Sequence, residues 1–364
     1  MAYTTIDDPT QFFNTIIWSG DSSSPENLTV GFQPDWIWGK LRNTGYSHQL
    51  YDSVRGFGND KDLQLGTSGN PAEGAGTADQ YGYISGTTST GFTATKGSDG
   101  GADGYGYWNE SGRTYVAWNW LAGGSASSNS NGSVTSSVSA NTTAGFSIVK
   151  YTGAGTGTTT TIGHGLGAVP DMYIVKSLDS IGNWQTYHHK MSSDPKTDYI
   201  QLDTQEAVTD FTFWGDTAPT STVFTVKDGN DVNESGEEYI AYCFKSIKGY
   251  SKFGKYEGNG NANGTFVYTG FRPAFVITKR TDSTTGSYWV IYDNKRDTFN
   301  PLDRYLYAYS NTSENTGTNL DFLSNGFKPT VSNVIHNASG GTYIYMAFAE
   351  NPFVNSNKIP VNAR

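Results

Sequence analysis

Asn233-Glu234-Ser235-Gly236-Glu237-Glu238-Tyr239-Ile240-Ala241-Tyr242-Cys243-Phe244 is the stretch on which the fold turns. Asn and Ser side chains bond their own backbone and Gly accepts a positive φ, so Asn-x-Ser-Gly reads as a turn. The run from Tyr239 onward is apolar and aromatic, and reads as a buried strand. The turn returns as Asn109-Glu110-Ser111-Gly112 and Asn337-Ala338-Ser339-Gly340, with Tyr115 and Tyr343 at the offset of Tyr239. Asn-x-Ser also fits an N-glycosylation pattern, but a turn explains the recurrence without glycans.

Four more blocks recur in the same order upstream of each turn. An aromatic lies two residues before a glycine in Trp18-Ser19-Gly20, Tyr151-Thr152-Gly153 and Tyr256-Glu257-Gly258. A proline then opens a strand that carries a lysine six residues on: Pro34 to Lys40, Pro170 to Lys176 and Pro273 to Lys279. Proline is tolerated at a strand start, where a missing donor does least harm. Next come His48-Gln49-Leu50-Tyr51-Asp52, Trp184-Gln185-Thr186-Tyr187-His188 and Trp289-Val290-Ile291-Tyr292-Asp293, and then strands holding Phe92, Phe224 and Phe327. Five blocks in one order, three times, mark tandem copies of one domain.

The strands are short, bounded by Gly, Asn, Asp and Pro, and no stretch of ten or more residues has helical periodicity. The fold class expected is all-β, with tandem antiparallel β-sandwich domains of jelly-roll or lectin-like type. The copies span 1–122, 146–248 and 249–354. Residues 123–145, rich in Gly, Ser, Asn and Thr, read as a flexible linker. Residues 355–364 read as a polar C-terminal tail. Only Lys245 to Gly254 separate copies two and three, which predicts that those two pack together.

Charged residues make up 16 % of the chain and aromatics 14 %, with 44 glycines. That balance describes strands and tight turns, not disorder. A net charge of −10 with basic residues scattered argues against nucleic acid as a partner. The lone Cys243 excludes an intrachain disulfide and reads as a buried small hydrophobe. The first residues lack the pattern of a signal peptide, and no apolar run approaches the ~20 residues of a membrane span.

Catalytic and metal motifs do not emerge. His48, His164, His188, His189 and His336 form no recognised ligand or nucleophile pattern. His188 and His189 are adjacent on a strand and should point to opposite faces. The stretch from Asp228 to Glu234 superficially suggests a calcium loop, but places Val232 where a ligand is required and lacks the central Gly. No metal or cofactor is therefore expected, and no enzymatic activity. A glycosidase would need two carboxylates ~5–10 Å apart across a cleft, and the acidic residues sit mostly in turns. Aromatics returning in every copy belong to a shared core. Tyr105, Tyr107 and Trp108 are peculiar to copy one, and are the candidate platform for stacking sugar rings.

The chain resembles a family of marine bacteriophage virion proteins, from phages of cyanobacteria and other abundant marine bacteria, often labelled tail fibre. The resemblance rests on Tyr3-Thr4-Thr5-Ile6-Asp7-Asp8-Pro9, Gln33-Pro34-Asp35-Trp36-Ile37-Trp38, Tyr51-Asp52-Ser53-Val54-Arg55-Gly56 and Gly249-Tyr250-Ser251-Lys252-Phe253-Gly254, with Tyr343 to Phe353. It covers nearly the whole chain and brings no catalytic residues. It implies a structural virion protein, assembled in the host cytoplasm, whose partners are other virion proteins, further copies of itself and host-surface polysaccharide. A tail fibre or tail appendage is the leading expectation, a capsid decoration or head-fibre protein the second and a polysaccharide depolymerase the third.

Overall fold

The structure, a computed structural model, describes residues 4–65, 70–75, 78–98 and 106–352. Repeat 1 contributes β1 (Phe13–Ser19), β2 (Glu26–Thr29), β3 (Trp36–Leu41), β4 (His48–Asp52), β5 (Leu63–Leu65), β6 (Tyr83–Thr88), β7 (Gly91–Thr95) and β8 (Thr114–Trp120). Two strands follow, β9 (Ser127–Asn129) and β10 (Ser136–Asn141). Repeat 2 has β11 (Phe146–Thr152), β12 (Thr160–Gly163), β13 (Met172–Ser177), β14 (Gln185–His188), β15 (Asp198–Gln201), β16 (Thr209–Asp210), β17 (Val223–Val226) and β18 (Glu238–Phe244). Repeat 3 has β19 (Ser251–Glu257), β20 (Val267–Tyr268), β21 (Phe271–Arg280), β22 (Val290–Asp293), β23 (Leu302–Tyr307), β24 (Asn315–Leu323), β25 (Gly326–Pro329) and β26 (Thr342–Pro352).

The fold is all-β and antiparallel, and each repeat lays a large sheet against a small one. The large sheets run β1-β8-β3-β4-β5, β11-β18-β13-β14-β15 and β19-β26-β21-β22-β23. The small ones are β2-β7-β6, β12-β17 and β24-β25-β20, the last continuous with its large sheet through β24. In repeat 1, Leu28, Ile84 and Phe92 of the small sheet pack on Ile37, Tyr51 and Ala117 of the large one. Repeat 3 matches this with Val267, Leu320 and Phe327 on Val276, Tyr292 and Tyr345.

The recurring blocks meet in one joint. Tyr239 Oη accepts from Glu234 N at 2.8 Å and donates to the Asn230 carbonyl at 2.5 Å. Tyr115 and Tyr343 repeat both bonds. Asn233 donates to the carbonyls of Gly155, Thr158 and Lys227 at 2.9–3.0 Å and accepts from Ala154 N at 3.0 Å. Its amide is wholly buried, as are those of Asn109 and Asn337, so it serves the turn and offers no face to a glycan. The block aromatic stacks on the tyrosine in all three copies: Trp18 on Tyr115, Tyr151 on Tyr239 and Tyr256 on Tyr343, with centroids 5.0–5.2 Å apart. Two residues on, a Cβ at Gly20, Gly153 or Gly258 would overlap the carbonyl oxygen of Glu110, Glu234 or Ala338. Glycine is required there because two backbones touch.

The outward faces of the three large sheets close on one another. Strand β3 is buried on both sides, which is why it reads as a near-continuous apolar run and not an alternating one. Trp36 packs on Trp120 of its own repeat at 4.4 Å and on Tyr242 of repeat 2 at 4.5 Å. Phe275 of repeat 3 meets Trp118 and Trp120 of repeat 1, and Phe348 meets Phe244 of repeat 2. All three repeats thus share one aromatic core.

Polar contacts close the same ring in one sense. Asp52 of repeat 1 accepts from Tyr242 Oη of repeat 2 at 2.8 Å. At the equivalent position of repeat 2, His188 Nε2 meets the Tyr345 carbonyl of repeat 3 at 3.3 Å. Asp293 of repeat 3 completes the circuit by accepting from Trp118 Nε1 of repeat 1 at 3.0 Å. The chain is therefore a pseudo-threefold ring made within one polypeptide.

Residues 123–145 correct the expectation of a flexible linker. Strand β10 pairs with the edge of β11, β9 pairs with β10, and Ser136, Val138 and Ser139 are buried. A Gly/Ser/Thr-rich composition did not prevent pairing because an unpaired sheet edge supplies partners for its backbone. The tail at 355–364 lies outside the described residues.

The recurring lysines lie inside the ring. Lys40 Nζ donates to the carbonyls of Leu41 and Asn311, and Lys176 Nζ to those of Ser177 and Ser180. Lys279 Nζ reaches Thr204 and Ser287. Burial, the largest influence, pushes Lys40 and Lys279 down to about 7 and Lys176 to about 8. Above those values the unfolded chain holds protons that the folded chain has released, so unfolding becomes harder as pH rises. The urea midpoint is expected to climb from pH 7.5 to 8.5, since three lysines outweigh the opposing ionisation of Cys243 in the unfolded chain, and the tyrosines titrate higher. A flat or falling midpoint across that window would mean that the three ammonium groups are not desolvated.

Candidate functional site

A cleft of about 1180 Å³ opens where repeat 2 meets repeat 3. Its lining includes Lys190, Lys245, Lys248, Lys252 and Lys255, against the carboxylates Asp171 and Glu257. Lys190 follows β14, Lys245 and Lys248 lie on the connection from β18 to β19, and Lys252 and Lys255 lie on β19 itself. Lys190, Lys248 and Lys255 are exposed. On a chain of net charge −10, this is a local reversal of sign.

The back wall is a polar network tying the two repeats. Asp171 Oδ1 lies 3.2 Å from both His189 Nδ1 and Lys245 Nζ, and its Oδ2 accepts from Ser246 N at 2.7 Å. His189 Nε2 sits 3.1 Å from the Phe253 carbonyl, and Ser246 Oγ accepts from Phe253 N at 3.2 Å. Burial opposes the Asp171 charge, but the Ser246 hydrogen bonds and the nearby His189 and Lys245 outweigh it and lower its pKa. The same burial lowers His189 and Lys252.

The front rim is aromatic. Phe266 and Tyr268 are 44 % and 49 % exposed, which is unusual for rings in so aromatic a chain. Lys252 Nζ lies 5.1 Å from the Tyr268 ring centroid and donates to the Tyr268 carbonyl at 2.7 Å. Phe266 also lines a neighbouring pocket of about 460 Å³ with Arg272, Asn300 and Asn325. A ligand crossing Phe266 would therefore find polar groups on both sides. Asp171 is already engaged three ways, so the arrangement is suited to holding an anion against apolar rings.

This site is not where the sequence pointed. Tyr107 and Trp108 are core residues, 7 % and 1 % exposed, and Tyr105 lies outside the described residues. Trp108 covers Gly39, where a Cβ would overlap its ring, and stacks near Trp18 at 5.9 Å. A ring inside the sandwich has no face to offer a sugar. The reading of basic residues as scattered is corrected too: Lys245, Lys248, Lys252 and Lys255 fall within eleven residues of one another, and the fold adds Lys190.

The histidines are bonded to their surroundings. His48 accepts from Trp38 Nε1 at 2.8 Å and faces the Tyr307 carbonyl at 3.0 Å, and His336 lies between Tyr292 Oη and Thr278 Oγ1. Burial drives His188 and His336 down to about 3 and lowers His48 and His164. His188 and His189 both turn Nε2 to carbonyls of repeat 3. In the calcium-like stretch, Asp228 accepts from Thr212 and Asp231 from Gln185. Among the described residues, no cluster of three His, Cys, Asp or Glu side chains could hold a metal. No helix among them is long and apolar enough to cross a membrane.

No curated protein and no solved structure matches the chain. The model of a domain of unknown function, DUF7483, matches residues 8–352. That match runs through all three repeats as one unit, so the ring and not the single sandwich corresponds to the domain, and the chain belongs to the DUF7483 family.

Proposed function

We propose that this protein is a structural component of a phage particle, carried in a tail fibre or tail appendage, where it contacts a glycan of the host surface. The observation that carries this reading is the lysine-lined, aromatic-rimmed cleft, held by a frame with one shared core. A frame so fixed loses little entropy when a ligand docks. Binding, not catalysis, is the role the cleft favours, since its buried carboxylate is committed to the wall. Other virion proteins and further copies of the chain are the expected partners.

A second reading has its own observation. Among the described residues the closed ring of sandwiches has no coiled coil or fibrous repeat to form a shaft, which suits a capsid decoration or head-fibre protein. Gold-labelled antibody on intact virions separates the two. Label at the tail is the expected result, while label spread over the head would replace the tail reading, and unlabelled particles would end both.

A further inference from the structure

We infer that the cleft between repeats 2 and 3 binds an acidic polysaccharide, one whose sugar rings carry carboxylate or sulfate groups. The inference rests on the glycan-binding reading and specifies the charge of the glycan and where it lies. The repeats themselves supply the first argument. Where repeat 3 has Lys252, the other copies have Asn14 and Ser147, and Lys245 and Lys248 correspond to Leu121 and Gly124 of repeat 1. The shared fold therefore does not require these lysines, unlike Lys40, Lys176 and Lys279, which all three copies keep and bury.

Geometry supplies the second argument. Lysines donate to carboxylate or sulfate oxygens as mobile point charges, and the half-exposed rings of Phe266 and Tyr268 offer the apolar surface that a sugar face needs. Phe266 is shared by the cleft and the pocket beside it, so the surface continues past one sugar, as a polymer requires. Nucleic acid fits less well. Among the described residues no arginine, the side chain that grips phosphate in a fork, lines the main cleft.

The test measures binding of the full chain to polygalacturonate, with dextran as the neutral control and a single-stranded oligodeoxynucleotide as the rival polyanion. Polygalacturonate should bind, more weakly as salt rises, and dextran should not. Lys248→Gln with Lys255→Gln changes two exposed side chains and should weaken binding about tenfold or more. Phe266→Ala should weaken it with little change in salt dependence, and polygalacturonate should keep its length throughout. No binding, equal binding by the lysine variant, or tighter binding of the oligonucleotide would overturn the inference. Because the isolated chain is measured, failure here would count against the acidic-glycan site even if gold placed the protein on the tail. Conversely, success would stand if the virions went unlabelled.

Discussion

Replacing Asp293 by alanine is expected to destabilise the protein by about 3–5 kcal/mol, the usual cost of removing one partner of a buried ion pair. Asp293 and Arg296 both have side chains with no solvent exposure, and Arg296 Nε lies 2.5 Å from Asp293 Oδ2. The other oxygen accepts from the backbone of Lys295 and Arg296, and Oδ2 also accepts from Trp118 Nε1 across the repeat boundary. Alanine would leave the guanidinium only Glu314 and the Ile291 carbonyl, and would strand two backbone donors and an indole. Repeat 2 shows an alternative: His188 and Met191 occupy the corresponding positions and hold no ion pair. The double variant Asp293→His with Arg296→Met should therefore lose less than Asp293→Ala, since removing both charges together leaves neither unpaired. Urea denaturation of the three proteins measures this. A loss below about 1 kcal/mol for Asp293→Ala, the range of an exposed pair, would show that the pair is solvated.

Trp36→Ala is the second large effect, at about 3–5 kcal/mol for a fully buried tryptophan. Its ring lies between Trp120 and Tyr242, with Phe146 and Phe244 within 6 Å. Four of the five residues in that group come from two different repeats' strands β8 and β18 or from β11. The cavity would thus lie at a boundary and weaken the whole ring. Calorimetry should show one endotherm moved to lower temperature. If repeat 1 melted early by itself while the rest kept its original transition, the shared core would not couple the repeats.

Much of the fold was legible because its joint is local and repeated. Asn, Ser and Gly at fixed spacing name a turn, and a tyrosine five residues after Glu234 can only close back on it. What could not be read was the ring. Trp36 and Ile37 are both buried, one against the other repeats and one inside its own sandwich, and an apolar run does not say which neighbour covers each face. For the same reason the sequence does not place Tyr107 and Trp108 in the core, since an aromatic near glycines looks alike inside or out. The linker misled because composition reports what a segment can bury, not whether a vacant sheet edge waits for it. The cleft was half visible: four lysines stand close in sequence, but Lys190 and the rim at Phe266 and Tyr268 join them only through the packing of repeat 2 on repeat 3.

Making a ring from one chain has a consequence for valency. Three separate subunits would have to find each other, and would come apart on dilution. Here the stoichiometry is written into the polypeptide, and a single chain stays whole at any concentration. Identical subunits would also present every surface feature three times, whereas fused copies are free to differ, as the lysine cleft between repeats 2 and 3 illustrates. On the proposed reading, strength of attachment would come from the number of rings a particle displays and from how far apart they stand. A glycan long enough to bridge two rings would be held far more firmly than a short one, with no change in either cleft.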